Sequence, residues 1–138
     1  MVEHPKISFS YRRMRQIADV TDLVELMFPG NRNQQHAAAR ILLFLRQADQ
    51  PQRSLALLER RHAISRRTLQ RTRAKLARLG LIEHVSGLCA RHGGTEGWTL
   101  SGRMSTALRQ LAEGLDGWRR ANDPEHRHKE EVLAGLLR

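Results

Sequence analysis

The stretch that decides the fold is SLALLERRHAISRRTLQRTRAKLARLGLIEHV, residues 54–85. Ser54 can cap a short leucine-bearing helix, and Ser65 can cap a longer one that runs to about Leu79, because a serine hydroxyl at this position accepts a hydrogen bond from the first turn. Gly80 suits the left-handed residue that commonly ends a helix. The stretch therefore predicts two helices joined by a tight turn at 62–64.

Two short β-forming runs follow this helix pair. Residues 81–85 read LIEHV and residues 97–100 read GWTL, and both are rich in residue types that favour strands. Between them, Gly93 and Gly94 suit the positive φ angles of a hairpin turn. The order short helix, turn, helix, hairpin is that of a winged helix–turn–helix, in which the second helix enters the major groove and the hairpin, or wing, reaches the DNA backbone or a minor groove.

Most of the net charge lies in the same region. The 138-residue chain carries +10, of which residues 53–79 contribute +8, with nine basic side chains against one acidic. A solvated surface normally mixes both signs, so a block of one sign indicates a polyanionic partner. Eight of the nine are arginine, whose planar guanidinium can donate two hydrogen bonds at once to a phosphate or to guanine. A GC-rich genome or a hot environment would raise the arginine content of the whole chain. It would not explain why acidic residues are so scarce in this one segment.

The helical period separates two faces of the helix that begins after Ser65. Leucine and threonine at positions 69, 72, 76 and 79 form the core face. The N-terminal half of a recognition helix lies deepest in the groove, so the outward side chains there are the candidates for base contacts: Arg66, Arg67, Gln70 and Arg71. The candidates for phosphate contacts are Arg60, Arg61, Ser65, Lys75 and Arg78.

Helices are also expected on both sides of this region. Apolar spacing predicts one helix over 11–28, a second capped by Asn33, a long one capped by Ser101, and a last one at about 126–137. The fold class expected is mainly α with a small β-hairpin wing. Its three parts are an N-terminal segment and dimerisation helix (1–32), a winged helix–turn–helix domain (33–100) and C-terminal dimerisation helices (101–138).

A homodimer is expected from the apolar residues near the C-terminus. Those of the long helix are spaced alternately four and three apart, as in the seam of a coiled coil, and the last helix adds a further apolar patch. The alternative is that both stripes pack on the helix at 11–28 within one subunit. A symmetric dimer would present two recognition helices to adjacent major grooves. The residues expected at its interface are Met104, Leu108, Leu111, Leu115, Trp118, Leu133 and Leu136.

The chain also resembles the multiple-antibiotic-resistance-regulator (MarR) type of winged helix–turn–helix protein. The resemblance lies in residues 54–85, with Ser65, Leu76 and the run 80–82, Gly-Leu-Ile, and in GWTLSGRMSTAL, residues 97–108. It implies a dimeric transcriptional repressor with an effector pocket for a small molecule, although no residue identifies the ligand. That family usually carries Asp-x-Arg in the wing; this wing reads CARHGGTEG, which leaves Arg91, beside His92, as the expected wing contacts.

Other readings of the same residues stay open. A replication, partition or defence adaptor of a plasmid or phage would have nearly the same pattern and would use the winged helix to dock nucleic acid or protein. Recognition of structured RNA is a weaker third reading. These hypotheses predict different sets of bound sequences, so selection from a random pool of double-stranded DNA would separate them.

Several classes of function are not supported by the sequence. We find no phosphate-cradling glycine loop and no nucleophile–base pair at a known spacing, so we expect no enzyme and no cofactor. His84, Cys89 and His92 are too few and too poor in sulfur for a structural zinc site, so no metal is expected. The longest strongly apolar run, 41–45, is far shorter than the roughly 20 residues that span a bilayer. We expect a prokaryotic cytoplasmic protein, associated with the nucleoid and not with a membrane.

Overall fold

The computed structural model describes residues 6–87 and 95–138, and in them the chain is mainly helical with one small antiparallel sheet. This confirms the expected class of helices plus a hairpin. Two compact units are present: the first reaches to Met104 and the second is Ser105–Arg138. In chain order the elements are α1 (Tyr11–Arg15), α2 (Val20–Met27), α3 (Arg32–Gln47), α4 (Leu57–Arg61), α5 (Arg66–Leu79), β1 (Ile82–Val85), β2 (Gly97–Leu100), α6 (Arg103–Arg120) and α7 (Pro124–Gly135).

The core of the first unit is formed by α2, α3, α4 and α5 together with the sheet. α3 is its centre and packs against both α2 and α5. On α3 the side chains of Ala38, Ile41, Leu42 and Leu45 are buried, with Ile41 wholly so, and on α5 the buried face is the predicted one. Leu79, the last residue of that face, is half-buried. Met104 is also buried in this core, and its backbone N–H donates to Gly80 O at 3.0 Å.

The single helix predicted over 11–28 is wrong, because two helices occupy this segment. Asp19 begins a new helix: its Oδ1 accepts from the N–H groups of Thr21 and Asp22 at 2.9 and 3.1 Å. Asp22 in turn accepts from Ala18 N–H at 3.1 Å. This reciprocal capping resembles a capping box and favours a fresh start over a continuous helix. As a result α2 turns apolar residues into the core, whereas Met14 of α1 is exposed.

Two other helix starts differ from the prediction. α3 is capped by Asn31, not Asn33, because Gly30 (φ 75°) ends the preceding turn and leaves Asn31 extended, with its Oδ1 3.1 Å from Gln34 N. α4 begins after Ala56, not after Ser54; the Ser54 hydroxyl accepts from Ala56 N–H at 3.1 Å and so shapes the turn before the helix. The start of α5 at Ser65 and its end at Gly80 (φ 82°) are as predicted.

The sheet consists of β1 and β2, which pair antiparallel with Ile82 opposite Leu100 and Val85 opposite Gly97. A feature absent from the prediction is a bridge on the other side of β2, where Gln52 and Trp98 exchange two backbone hydrogen bonds of 2.7 and 2.9 Å. The close approach requires Gly97, whose φ is 140°, since a Cβ there would lie 2.4 Å from the carbonyl carbon of Gln52.

The second unit contains nearly all of α6, followed by α7. α7 begins at Pro124 with Asp123 as its cap, and Trp118 Nε1 donates to Glu130 Oε2 at 2.8 Å, which joins the two helices. No residue of Ser105–Arg138 is buried, and all but Glu130 are exposed. This unit therefore has no hydrophobic core of its own.

Candidate nucleic-acid interface

The residues predicted to contact DNA are organised by α5. Its first turn is fixed by Ser65, whose Oγ accepts from Thr68 N–H at 3.1 Å and donates to Thr68 Oγ1 at 2.8 Å. Its inner face is held by Leu69, Thr72 and Leu76, which are at most 5% exposed. Because the inner face is fixed, the opposite face is presented to solvent in a defined orientation.

The four predicted base contacts lie together on that outer face. Arg66, Arg67, Gln70 and Arg71 are all exposed and occupy the first two turns of α5. Within the described part of the chain, no carboxylate forms an ion pair with any of these arginines. The charges of these arginines are therefore not neutralised by carboxylates of the described residues, as expected for side chains that bind an anion.

The predicted phosphate contacts divide into two groups. Arg60, Arg61 and Arg78 are exposed, and Ser65 is exposed with its hydroxyl used in the cap. Lys75 is different: its Nζ donates to Met27 O at 2.6 Å and to Lys6 O at 3.0 Å.

The assignment of Lys75 to phosphate is therefore corrected. Its ammonium also lies 4.4 Å from the centre of the Phe28 ring. A lysine that donates to one carbonyl at the end of α2 and to another before α1, and whose ammonium lies over an aromatic ring of the core, ties α5 to α2 and is not directed at a ligand.

A cation that the sequence analysis missed is Arg73. Its guanidinium carbon lies 4.8 Å from the centre of the Trp98 ring, and His84 meets the same ring edge-on at 5.1 Å. The stack joins α5 to both strands of the sheet. Its sequence signal is weak, because Arg73 lies among similar arginines and its aromatic partner is 25 residues later in the chain.

A second group of cations lies where α3 approaches the end of α4. The rings of His36 and His62 are 6.4 Å apart between centroids and nearly perpendicular. Partial burial, followed by the charges of Arg40, His36 and Arg61, lowers the pKa of His62 from its ordinary 6.5. Of these residues only Arg61 was predicted to bind an anion.

The remaining predicted positions are distributed as follows. The wing residues Arg91 and His92, and Cys89 beside them, lie outside the described residues. Met104 was predicted at the dimer interface, but it is buried in the core of the first unit and cannot also face a second chain. The other predicted interface residues are exposed: Leu108, Leu111, Leu115, Trp118, Leu133 and Leu136.

One open cleft of the first unit has the size of a small-molecule site, with a volume of about 380 Å³. Its walls are mostly apolar, and Asp19 and Arg46 are the charged residues among them. The apolar residues that line it include Ile17, Val20, Leu23, Leu42, Leu81 and Leu100.

Within residues 6–87 and 95–138, no three metal-ligating side chains cluster as a cation site would require. None of the helices in this part of the chain combines the length and the apolar character needed to cross a bilayer.

Comparison of the chain with protein-family models, with curated proteins and with solved structures finds no match.

Proposed function

We propose that the chain is a winged helix–turn–helix protein of the MarR type that binds specific double-stranded DNA sequences as a homodimer and represses transcription by occupying a promoter. The observation that carries the proposal is the outer face of α5, where Arg66, Arg67, Gln70 and Arg71 stand exposed on a helix whose inner face is locked in the core. Arginine recognises guanine O6 and N7, and glutamine recognises adenine N6 and N7, in the major groove.

The local architecture supports this reading. α4 and α5 are separated by residues 62–65, a turn in which Ala63 adopts φ 52°, and β1 and β2 follow α5 in the chain. A left-handed alanine is uncommon and permits a sharper change of direction than a helix allows. In this proposal α5 enters the major groove, Arg60, Arg61 and Arg78 contact phosphates, and the wing contacts the backbone.

The dimer is supported by the second unit. A two-helix segment with no buried residue gains little from its own packing, and isolated helices of this length are marginal in water. Pairing with a second copy through Leu108, Leu111, Leu115 and Trp118 would bury this stripe. In the same proposal a small-molecule effector binds in the apolar cleft, where Arg46 is the cation available to an acidic ligand.

The test is selection of bound duplexes from a random pool, followed by comparison of variants on the selected site. A palindrome with half-sites one helical turn apart is expected for the regulator. A direct-repeat array favours the replication or partition reading, and absence of enrichment favours an adaptor or an RNA-binding protein.

Arg71→Ala provides the residue-level test. We expect it to weaken binding to the selected duplex by about 1–3 kcal/mol and to relax preference at one base pair. Arg78→Ala is the matched control, since loss of a phosphate contact weakens all duplexes alike. Equal losses on selected and random duplexes for both variants would contradict the assignment of roles.

A further inference from the structure

The basic side chains between α3 and α4 form a group of which the proposed function uses Arg61 alone. We call His36, Arg40, Arg61 and His62 the His–Arg cluster. Two helices contribute to it, and the two imidazoles lie edge to face, 6.4 Å between centroids. Three of its members are exposed and His62 is half-buried, so the donor groups are within reach of a ligand.

The chemistry of the cluster favours an anion. The groups that act on His62 are Arg61, from its own helix end, and Arg40 and His36 of α3; all three are basic, and each lowers the pKa of His62. Glu59, the one acidic residue of 53–79, is not among them. Like charges at close range repel each other, so an arrangement of this kind gains most from a ligand that carries negative charge and accepts several hydrogen bonds.

The cluster also lies close to the start of α5. His62 precedes the Ser65 cap by three residues, which span at most about 11 Å of chain. The major groove is about 12 Å wide, so a helix on its floor has a phosphate strand within that distance on either side.

We propose that the His–Arg cluster binds a backbone phosphate of the strand that borders the major groove entered by α5. The inference rests on the proposed function. The guanidinium groups of Arg40 and Arg61, a ring N–H of His36 and the protonated imidazole of His62 donate to the phosphate oxygens.

The site makes DNA binding depend on pH. A bound phosphate favours the protonated form of His62, so its pKa is higher in the complex than in the free protein, where neighbouring cations lower it. Binding then takes up a proton, and affinity rises as the pH falls. Above the pKa of the complex the imidazole is neutral in both states and contributes nothing. Each pKa unit of difference corresponds to at most about tenfold in affinity.

The first experiment measures the affinity for the selected duplex at about pH 8 and about pH 6, at constant salt. The ratio of the two affinities reports the protons that the protein takes up when it binds. We expect wild-type protein to gain roughly three- to tenfold. His62→Gln should lose most of this gain, whereas His128→Gln, which changes an exposed histidine of α7, should keep it. A full wild-type gain in His62→Gln would overturn the proposal.

A second measurement does not depend on substitution at the turn. The pKa of His62, followed by its ring proton resonance in the wild-type protein, should rise on adding the selected duplex. Arg40→Gln, which changes an exposed residue of α3, should weaken binding about three- to tenfold at both pH values and lower the salt slope by about one. If the protein binds the duplex and the pKa of His62 does not change, the site is refuted.

Failure of the cluster and failure of the proposed function are distinguishable. If no duplex binds at either pH, DNA binding fails and inorganic phosphate alone becomes the probe. A rise in the pKa of His62 on adding it retains the cluster as a receptor for free phosphate, and no rise overturns the site altogether.

Discussion

The two units of the chain use apolar side chains in opposite ways. The first buries Phe28, Ile41, Leu55 and Leu58 to within 2% of complete burial. The second leaves Leu111 62% exposed. Since burial of apolar surface is the main favourable term in folding, the first unit is stabilised by its own contacts, whereas the second gains little from its own packing. A stripe of leucines in a sequence thus has two meanings, and only burial distinguishes them.

Leu111→Asp tests this difference between the two units most directly. In a twofold dimer each subunit carries the substitution, so we expect the free energy of dimerisation to weaken by about 4 kcal/mol, which is roughly a thousandfold in the dissociation constant. Light scattering at micromolar concentration should give the mass of a monomer, while unfolding of the first unit, followed at Trp98, should be unaffected. Gln110→Asp, outside the stripe on the same helix, is the control and should remain dimeric. Wild-type protein that is already monomeric would contradict the dimer.

Glycine-to-alanine substitutions should have opposite signs in the two units. At Gly97 the new Cβ would meet Gln52 backbone atoms at 2.4–2.7 Å, in a φ region that alanine rarely adopts, so we expect a loss of about 3 kcal/mol or more. At Gly117, within α6, nothing lies within 4 Å, and the change should stabilise the helix by up to about 1 kcal/mol. Urea unfolding measures both. Equal effects would show that Gly97 is not constrained by Gln52.

Lys75→Met sharpens the contrast within one helix. It removes the donors to Met27 O and Lys6 O but keeps the aliphatic stem, so we expect the free energy of unfolding to fall by about 2 kcal/mol. Arg78→Met, also on α5 but exposed, should change it by less than about 0.5 kcal/mol and should instead weaken DNA binding. Unchanged stability with weakened binding in Lys75→Met would restore its assignment to phosphate.

Much of the fold could be predicted because its signals are local. Ser65 and Gly80 mark the two ends of α5, and β1 and β2 follow from runs of β-forming residues on either side of paired glycines. Capping and helical period act over a few residues, so they can be read from a single sequence. The exposed face of α5 was predictable for the same reason.

The features that were missed depend on distant parts of the chain. Lys75 finds its acceptors 48 and 69 residues away in sequence. The bridge from Gln52 to Trp98 joins single residues, which leaves no periodic pattern, although Gly97 in an otherwise strand-like run was an indication of a close backbone approach. The break between α1 and α2 has a local cause: Asp19 and Asp22 form a capping pair, which competes with the apolar spacing that runs across 11–28.

The positions of the two tryptophans give the molecule a pair of optical probes. Trp98 is half-buried in the first unit beneath Arg73 and beside His84, and Trp118 is 59% exposed on the apolar stripe of the second. Their emission should therefore differ in wavelength and in access to an added quencher. With Trp118→Phe, fluorescence would follow events at α5 and the sheet alone; with Trp98→Phe, it would follow association alone. The two variants would thus allow the proposed DNA binding and the proposed subunit pairing to be timed separately without an attached dye.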